Sequence, residues 1–171
     1  LREAEREMEP HRTAGTYRGF DGTELPWQAV HTDRPRAHVV LLHGFTEFPE
    51  KYRELCRYFR QADCTVWLPV LRGHGLGGIV HVDRFEDYVR DMACFLRDIV
   101  PERPLLFGHS MGGGVAARLL QERPDCAARA VLCSPMLCPQ TGRAPHWLAL
   151  GCARALLRRG EREKSPLFSG A

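Results

Sequence analysis

From residue 39 onward, short apolar runs alternate with amphipathic stretches, and this alternation narrows the fold more than any other feature of the chain. Runs at 39–42, 65–68, 105–107 and 130–133 are strand-sized, and the stretches at 51–60, 84–100 and 111–121 carry helical spacing. Alternating strands and helices imply a parallel sheet with helices packed on its faces. In 84–100, Phe85, Val89, Met92, Phe95, Leu96 and Ile99 recur at steps of three and four, with Asp87, Arg90, Asp91 and Arg97 largely between them. That spacing describes a surface helix laid on a sheet. Ahead of this region, 16–20 and 24–30 read as strands around Asp21-Gly22, a two-residue hairpin signal.

At 171 residues with 44% apolar composition, the chain can bury a real core. Its 24 Lys and Arg against 21 Asp and Glu leave a net charge of +3, with no basic stripe interleaved with aromatics, so nucleic acid is set aside as a partner. No apolar run approaches the roughly 18 residues of a spanning helix. The seven Cys residues (56, 64, 94, 126, 133, 138 and 152) are odd in number, and none forms a Cys-x-x-Cys pair. Reduced, mostly buried thiols in a cytoplasmic setting fit better than a disulfide framework or a zinc site. The chain opens at Leu1 inside a charged, helix-like run, 1–9, and stops at Ser169-Gly170-Ala171 without a closing element. It therefore reads as a portion of a longer protein: a lead-in at 1–14, a core at 15–138, and the beginning of a cap insertion at 139–171.

The sharpest chemical signal is Gly108-His109-Ser110-Met111-Gly112, between a strand and a helix. A turn this tight strains the serine and admits only small neighbours where backbones meet, which Gly108 and Gly112 satisfy. The helix that follows aims unpaired N–H groups at an oxyanion. Upstream, His43-Gly44-Phe45 leaves the 39–42 strand in position to offer a second amide, so the backbone N–H groups of Phe45 and Met111 are the expected oxyanion hole. His43 is read as bracing that loop, with general base as the less favoured role. Arg72-Gly73-His74-Gly75 marks a further tight loop. Without a second His or carboxylate at ligand spacing, structural loop chemistry is preferred there to substrate contact or metal binding.

These segments resemble the α/β-hydrolases of the lysophospholipase and monoacylglycerol lipase group, also called serine aminopeptidase-like hydrolases. The resemblance runs from about Tyr17 to the end. It is carried by His43-Gly44-Phe45-Thr46-Glu47 with Lys51-Tyr52, Arg72-Gly73-His74-Gly75, Phe85-Glu86-Asp87-Tyr88-Val89-Arg90-Asp91, Gly108-His109-Ser110-Met111-Gly112-Gly113, and Ser134-Pro135-Met136-Leu137. It implies an α/β-hydrolase fold, a mostly parallel sheet with an N-terminal hairpin, truncated at the start of the cap. It also implies Ser110 as nucleophile, with His43, Gly44, Gly108, His109 and Gly112 as the supporting loop residues. The chain departs from the family pattern at Val70 (usually acidic) and at Gly77 (commonly Ser). At Phe45, Thr46 and Phe48 the family frequently has a small residue, Gly and His, so the acyl side of the pocket is bulkier and more apolar here.

A serine needs a base and a carboxylate that orients the base. In this fold both follow the serine on loops after later strands. Beyond Ser110 the acids are Glu122, Asp125, Glu161 and Glu163, and the only His is His146. Asp125 falls in the loop closing the nucleophile's own helix and His146 in the cap, so neither suits a triad. The expectation is a serine hydrolase of lipid-like carboxylic esters, of lysophospholipid or monoacylglycerol type, without cofactor or metal, whose triad Asp and His lie beyond Ala171. A non-catalytic binding module on the same scaffold and a peptidase of the same fold are the alternatives; a dehalogenase would want an aspartate at position 110. The helical stretch 147–159 is read as a cap helix packed on the core, with peripheral contact to an anionic lipid surface as the alternative.

Overall fold

The computed structural model describes residues 11–74 and 82–137. Six strands, β1 (Arg12–Arg18), β2 (Glu24–Val30), β3 (Ala37–Leu42), β4 (Cys64–Pro69), β5 (Leu105–His109) and β6 (Arg129–Cys133), form one sheet in the order β1-β2-β4-β3-β5-β6. The pairs β4–β3, β3–β5 and β5–β6 are parallel, whereas β1–β2 and β2–β4 are antiparallel. The expected parallel sheet with an N-terminal hairpin is therefore present. Three helices connect the parallel strands: α1 (Arg53–Gln61), α2 (Phe85–Asp98) and α3 (Met111–Glu122).

Strand periodicity sorts the core into two layers. Val39 and Leu41 of β3 join Val66 and Leu68 of β4 against Cys56, Leu55 and Phe59 of α1. The alternate residues Val40 and Leu42 face the other way, into a larger cluster with Met92 and Phe95 of α2 and Val115 and Leu119 of α3. Successive side chains on a strand point to opposite faces, so β3, covered on both, is an unbroken apolar run.

The first strand lies at Arg12–Arg18 rather than 16–20 and so begins inside the expected lead-in, because its pairing with all of β2 sets its length. Three further details differ from the sequence reading. The hairpin turn is not two residues long: Arg18 pairs with Glu24, and a five-residue loop is closed by Gly19 N–H donating to Thr23 O at 2.8 Å. Two acids of α2 are buried rather than displayed, Asp91 at 1% exposure and Asp87 at 8%. Asp87 accepts from the backbone N–H of Arg84 at 3.0 Å, capping the helix. Of the five described cysteines only Cys56 is buried, and Cys133 is exposed. β6 is the edge of the described sheet, with Val131 and Leu132 exposed on it. The stretches 1–10 and 138–171, including the expected cap helix at 147–159, lie outside the described residues.

Asp91 is buried because Arg72 meets it. The Arg72 guanidinium donates from Nε to Asp91 Oδ2 at 2.7 Å and from its second amine to Oδ1 at 2.8 Å, and reaches Asp21 of the hairpin loop at 2.8 and 2.9 Å. Phe20 sits under both Arg72 and Arg90. One side chain thus ties the loop after β4 to the hairpin and to α2. Removing one partner of a buried pair strands the other charge, at about 3–5 kcal/mol. Arg72→Ala is therefore expected to lower the urea-unfolding free energy by about that amount. The double variant Arg72→Ala with Asp91→Ala should regain part of it. Additive losses in the two single variants would show that the pair is not coupled.

Candidate active site

The parallel pairing of β3 with β5 decides where chemistry can occur. The chain leaves β3 toward β4 on one side and leaves β5 toward β6 on the other, so the strand order reverses between them. Loops departing in opposite directions open a crevice at the carboxyl ends of such strands, the general binding position of open α/β sheets. Residues 43–48 leave β3 at that crevice and Ser110 follows β5, with Leu42 in register with Gly108.

Ser110 has φ 49° and ψ −114°, a conformation that few non-glycine residues adopt. Its N–H donates to Cys133 O at 3.0 Å, and its carbonyl accepts from Gly114 at 3.1 Å and Met136 at 2.8 Å. The backbone is held on both sides, while Oγ has no hydrogen-bond partner among the described residues. Space is as tight as the motif demands. A Cβ on Gly108 would stand 2.6 Å from Gly112 O, and one on Gly112 would stand 2.6 Å from His43 O and run into the Leu42 carbonyl. The first turn of α3 therefore lies directly against the end of β3. Met111 opens that helix, where N–H groups have no intrahelical acceptor and carry the positive end of the helix dipole.

His43 is buried at 1% exposure. Its Nδ1 donates to Gly44 O at 2.8 Å, and its Nε2 accepts the Leu71 N–H at 3.0 Å, which requires a neutral ring protonated on Nδ1. Burial pushes its pKa down to about 4, against the opposing bond to the Gly44 carbonyl and with added repulsion from His74. Both nitrogens are engaged on backbone, and neither bond reaches Ser110. His74 stacks edge-on to His43 at 5.1 Å, and its Nδ1 bonds Arg72 O at 3.0 Å.

The structure also brings Glu47 and Tyr52, which the motif reading quoted without giving them a role, together with the expected loop residues Gly44 and His109. Glu47 Oε2 accepts from Gly44 N–H at 2.8 Å, from the Tyr52 hydroxyl, and from His109 Nδ1 at 3.0 Å. Tyr52 Oη lies 3.0 Å from His109 Nδ1. Burial acts to raise the Glu47 pKa, but the bonds from Tyr52, His109 and Gly44 outweigh it and hold the carboxyl at about 2. The available sequence signal was an acid three residues after Gly44, at turn spacing. Phe45 and Phe48 remain 40% and 42% exposed on the same loop, with Phe45 edge-on to His74 at 5.7 Å.

Asp125 stands elsewhere. It is fully exposed in the turn after α3 and lies 3.7 Å from Arg103, which precedes β5, so it is at the end of the sheet opposite Ser110. His146 lies outside the described residues. Among the described residues, no group of three His, Cys, Asp or Glu side chains is arranged to hold a metal ion, and no helix is long and apolar enough to cross a membrane.

Residues 33–163 match the family described as serine aminopeptidase, S33. The chain belongs to this family. It is 28% identical over 146 residues to a monoacylglycerol lipase of Mycolicibacterium smegmatis, covering 81% of this chain and 52% of that protein. To the human monoglyceride lipase it is 34% identical over 112 residues, 62% of this chain and 37% of that one. The solved structure of a Paleococcus ferrophilus monoacylglycerol lipase superposes with a TM-score of 0.67 at 28% identity, covering 80% of this chain and 52% of that one. The fold is that of an α/β hydrolase. This S33-family chain spans between about a third and a half of the length of these relatives.

The buried neutral state of His43 has a thermodynamic signature. Its pKa in the folded chain, about 4, lies below the ordinary 6.5, so its contribution to stability is complete above pH 6.5 and is lost as pH falls from 6.5 through 4. The loss is on the order of 3 kcal/mol. Unfolding free energies measured across that window should fall less steeply in His43→Gln than in the parent, and equal slopes would refute this account of the ring.

Proposed function

We propose that Ser110 is the nucleophile of a hydrolase acting on lipid-like carboxylic esters of the monoacylglycerol or lysophospholipid type. The observation that carries the reading is the strained Ser110, at the start of α3 with Oγ unbonded among the described residues, at the point where the strand order reverses between β3 and β5 and beside the loop after β3. Relatives named as monoacylglycerol and monoglyceride lipases support the ester class. The exposed Phe45 and Phe48 beside the crevice suit an acyl chain better than a charged peptide terminus.

In this reading Ser110 Oγ attacks the ester carbonyl carbon while a base takes its proton. The carbonyl oxygen becomes an oxyanion held by the amides of Phe45 and Met111, and collapse expels the alcohol, which receives the proton. Water then attacks the acyl-enzyme and releases the fatty acid and Ser110. His43 serves the loop rather than the proton, since both of its nitrogens are committed to backbone. No described histidine bonds Ser110 Oγ, so the base and its orienting carboxylate are assigned to residues other than the described ones, and any peripheral contact with a lipid surface to the cap stretch 147–159.

Two measurements test this. In the whole protein, a fluorophosphonate probe should label Ser110, and Ser110→Ala should abolish the label. Phe45→Ala should keep appreciable turnover, whereas Phe45→Pro, which removes the amide, should cost about 10²- to 10³-fold in kcat. Undiminished labelling of Ser110→Ala would remove the nucleophile. Separately, purified residues 1–171 should not turn over a short-chain p-nitrophenyl ester, because binding and oxyanion stabilisation without a base leave at most about 10³- to 10⁴-fold over water. Robust Ser110-dependent turnover that disappears in His146→Ala would instead make His146 the base. Cleavage of an aminoacyl amide in preference to a monoacylglycerol by the whole protein would favour the peptidase reading.

A further inference from the structure

We propose that Glu47 is a positioning residue that sets the separation of the two oxyanion-binding amides; the proposal rests on the reading of Ser110 as nucleophile. The amides of Phe45 and Met111 belong to different loops. Donors must stand about 2.7–3.1 Å from the oxygen that becomes charged, so the spacing between those loops matters to a few tenths of an ångström. The β3–β5 ladder fixes it only as far as the pair Leu42 and Gly108. Past that pair, the side-chain hydrogen bonds that join residues 43–48 to the turn at 108–112, among the described residues, all run from Glu47 or through Tyr52 to His109.

Glu47 is built into both sides of this junction. Its own N–H closes the turn on Gly44 O at 3.2 Å, across Thr46 at φ 59°, so the turn that contains Phe45 begins and ends on Glu47 and Gly44. Its Oε2 then returns to the Gly44 N–H, and the same oxygen takes Tyr52 from just before α1 and His109 from the residue before Ser110. Three donors on one oxygen call for an ionised carboxylate, which only accepts. Glutamine would turn an N–H toward part of this set and keep one acceptor; alanine would keep none. The side chain touches no reacting atom in the proposed reaction. Its effect passes through Gly44 to the Phe45 amide and through His109 to Ser110 and Met111, so it should appear in the transition state more than in substrate binding.

The test uses the whole protein and the variants Glu47→Ala, Glu47→Gln and Tyr52→Phe. It reads kcat and KM on a short-chain ester, together with amide hydrogen exchange over 43–48, 109–112 and, as an internal reference, 24–30. For Glu47→Ala, kcat should fall about 10- to 100-fold, the scale of a slight misplacement of catalytic groups. KM should stay within roughly threefold. Exchange in 43–48 and 109–112 should quicken about tenfold while 24–30 is unchanged. Glu47→Gln should recover part of the loss, and Tyr52→Phe should lose less than Glu47→Ala. A folded Glu47→Ala with parental kcat, a loss confined to KM, or faster exchange spread evenly over all three segments would each overturn the proposal. If turnover proves independent of Ser110, the nucleophile reading fails on its own. Exchange then decides whether Glu47 couples the loops, and unchanged exchange at 109–112 overturns the coupling.

Discussion

Everything at the candidate site depends on how closely the start of α3 approaches the end of β3. The two strands pair in parallel, Leu42 opposite Gly108, and the chain then makes a strand-to-helix turn in the space of Ser110. With any side chain at position 112, a Cβ would run into the carbonyls of Leu42 and His43, and the helix would have to retreat. Retreat would carry the Met111 amide away from the loop after β3 and relax the serine. The strain at Ser110 is held from outside the turn, by bonds from its backbone to Cys133 at the end of the neighbouring strand and to Met136 just beyond it.

Around this contact three polar side chains each bridge two or more groups, which holds the loops they join. His43 spans Gly44 and Leu71, Arg72 spans Asp91 and Asp21, and Glu47 collects Gly44, Tyr52 and His109. A buried donor or acceptor left unmatched costs more than the matched bond returns, so each of these side chains excludes alternative loop positions. Apolar packing alone would be more permissive, because side chains of similar size can exchange places within a core. The two kinds of interaction divide the labour. The layered core of Val39 to Leu42 against the three helices sets the scaffold, and the polar bridges set the loops on its carboxyl edge.

Much of this was legible in order along the chain. Strand and helix positions follow from local periodicity, and each parallel strand lies within two residues of its apolar run because burial on both faces demands such a run. The strand-to-helix turn at 108–112 was legible for a different reason: its geometry admits so few residue types that Gly108, Ser110 and Gly112 between a strand and a helix are nearly diagnostic. Where the reading went astray, a long-range contact had overruled a local rule. Asp21-Gly22 carries the signal of a tight hairpin, yet the loop is longer, and the Asp21 carboxylate bonds both Thr23 and Arg72. Asp91 has the spacing of a surface acid, and only the arrival of Arg72 from a loop nineteen residues away makes its burial tolerable.

What the sequence determined by itself is therefore the order of elements, the two-faced burial of β3, and the identity of the serine at the tight strand-to-helix turn, since these rest on interactions between residues near each other in the chain. Only the tertiary structure decided that His43 is committed on both nitrogens and that Arg72 is a clamp. It alone decided, too, that a glutamate and a tyrosine of no evident local purpose meet the histidine beside Ser110. Those outcomes depend on which strands become neighbours. Glu47 and His109 stand 3.0 Å apart because β3 and β5 pair and the chain departs from them in opposite directions, a fact about topology that no window of the sequence contains.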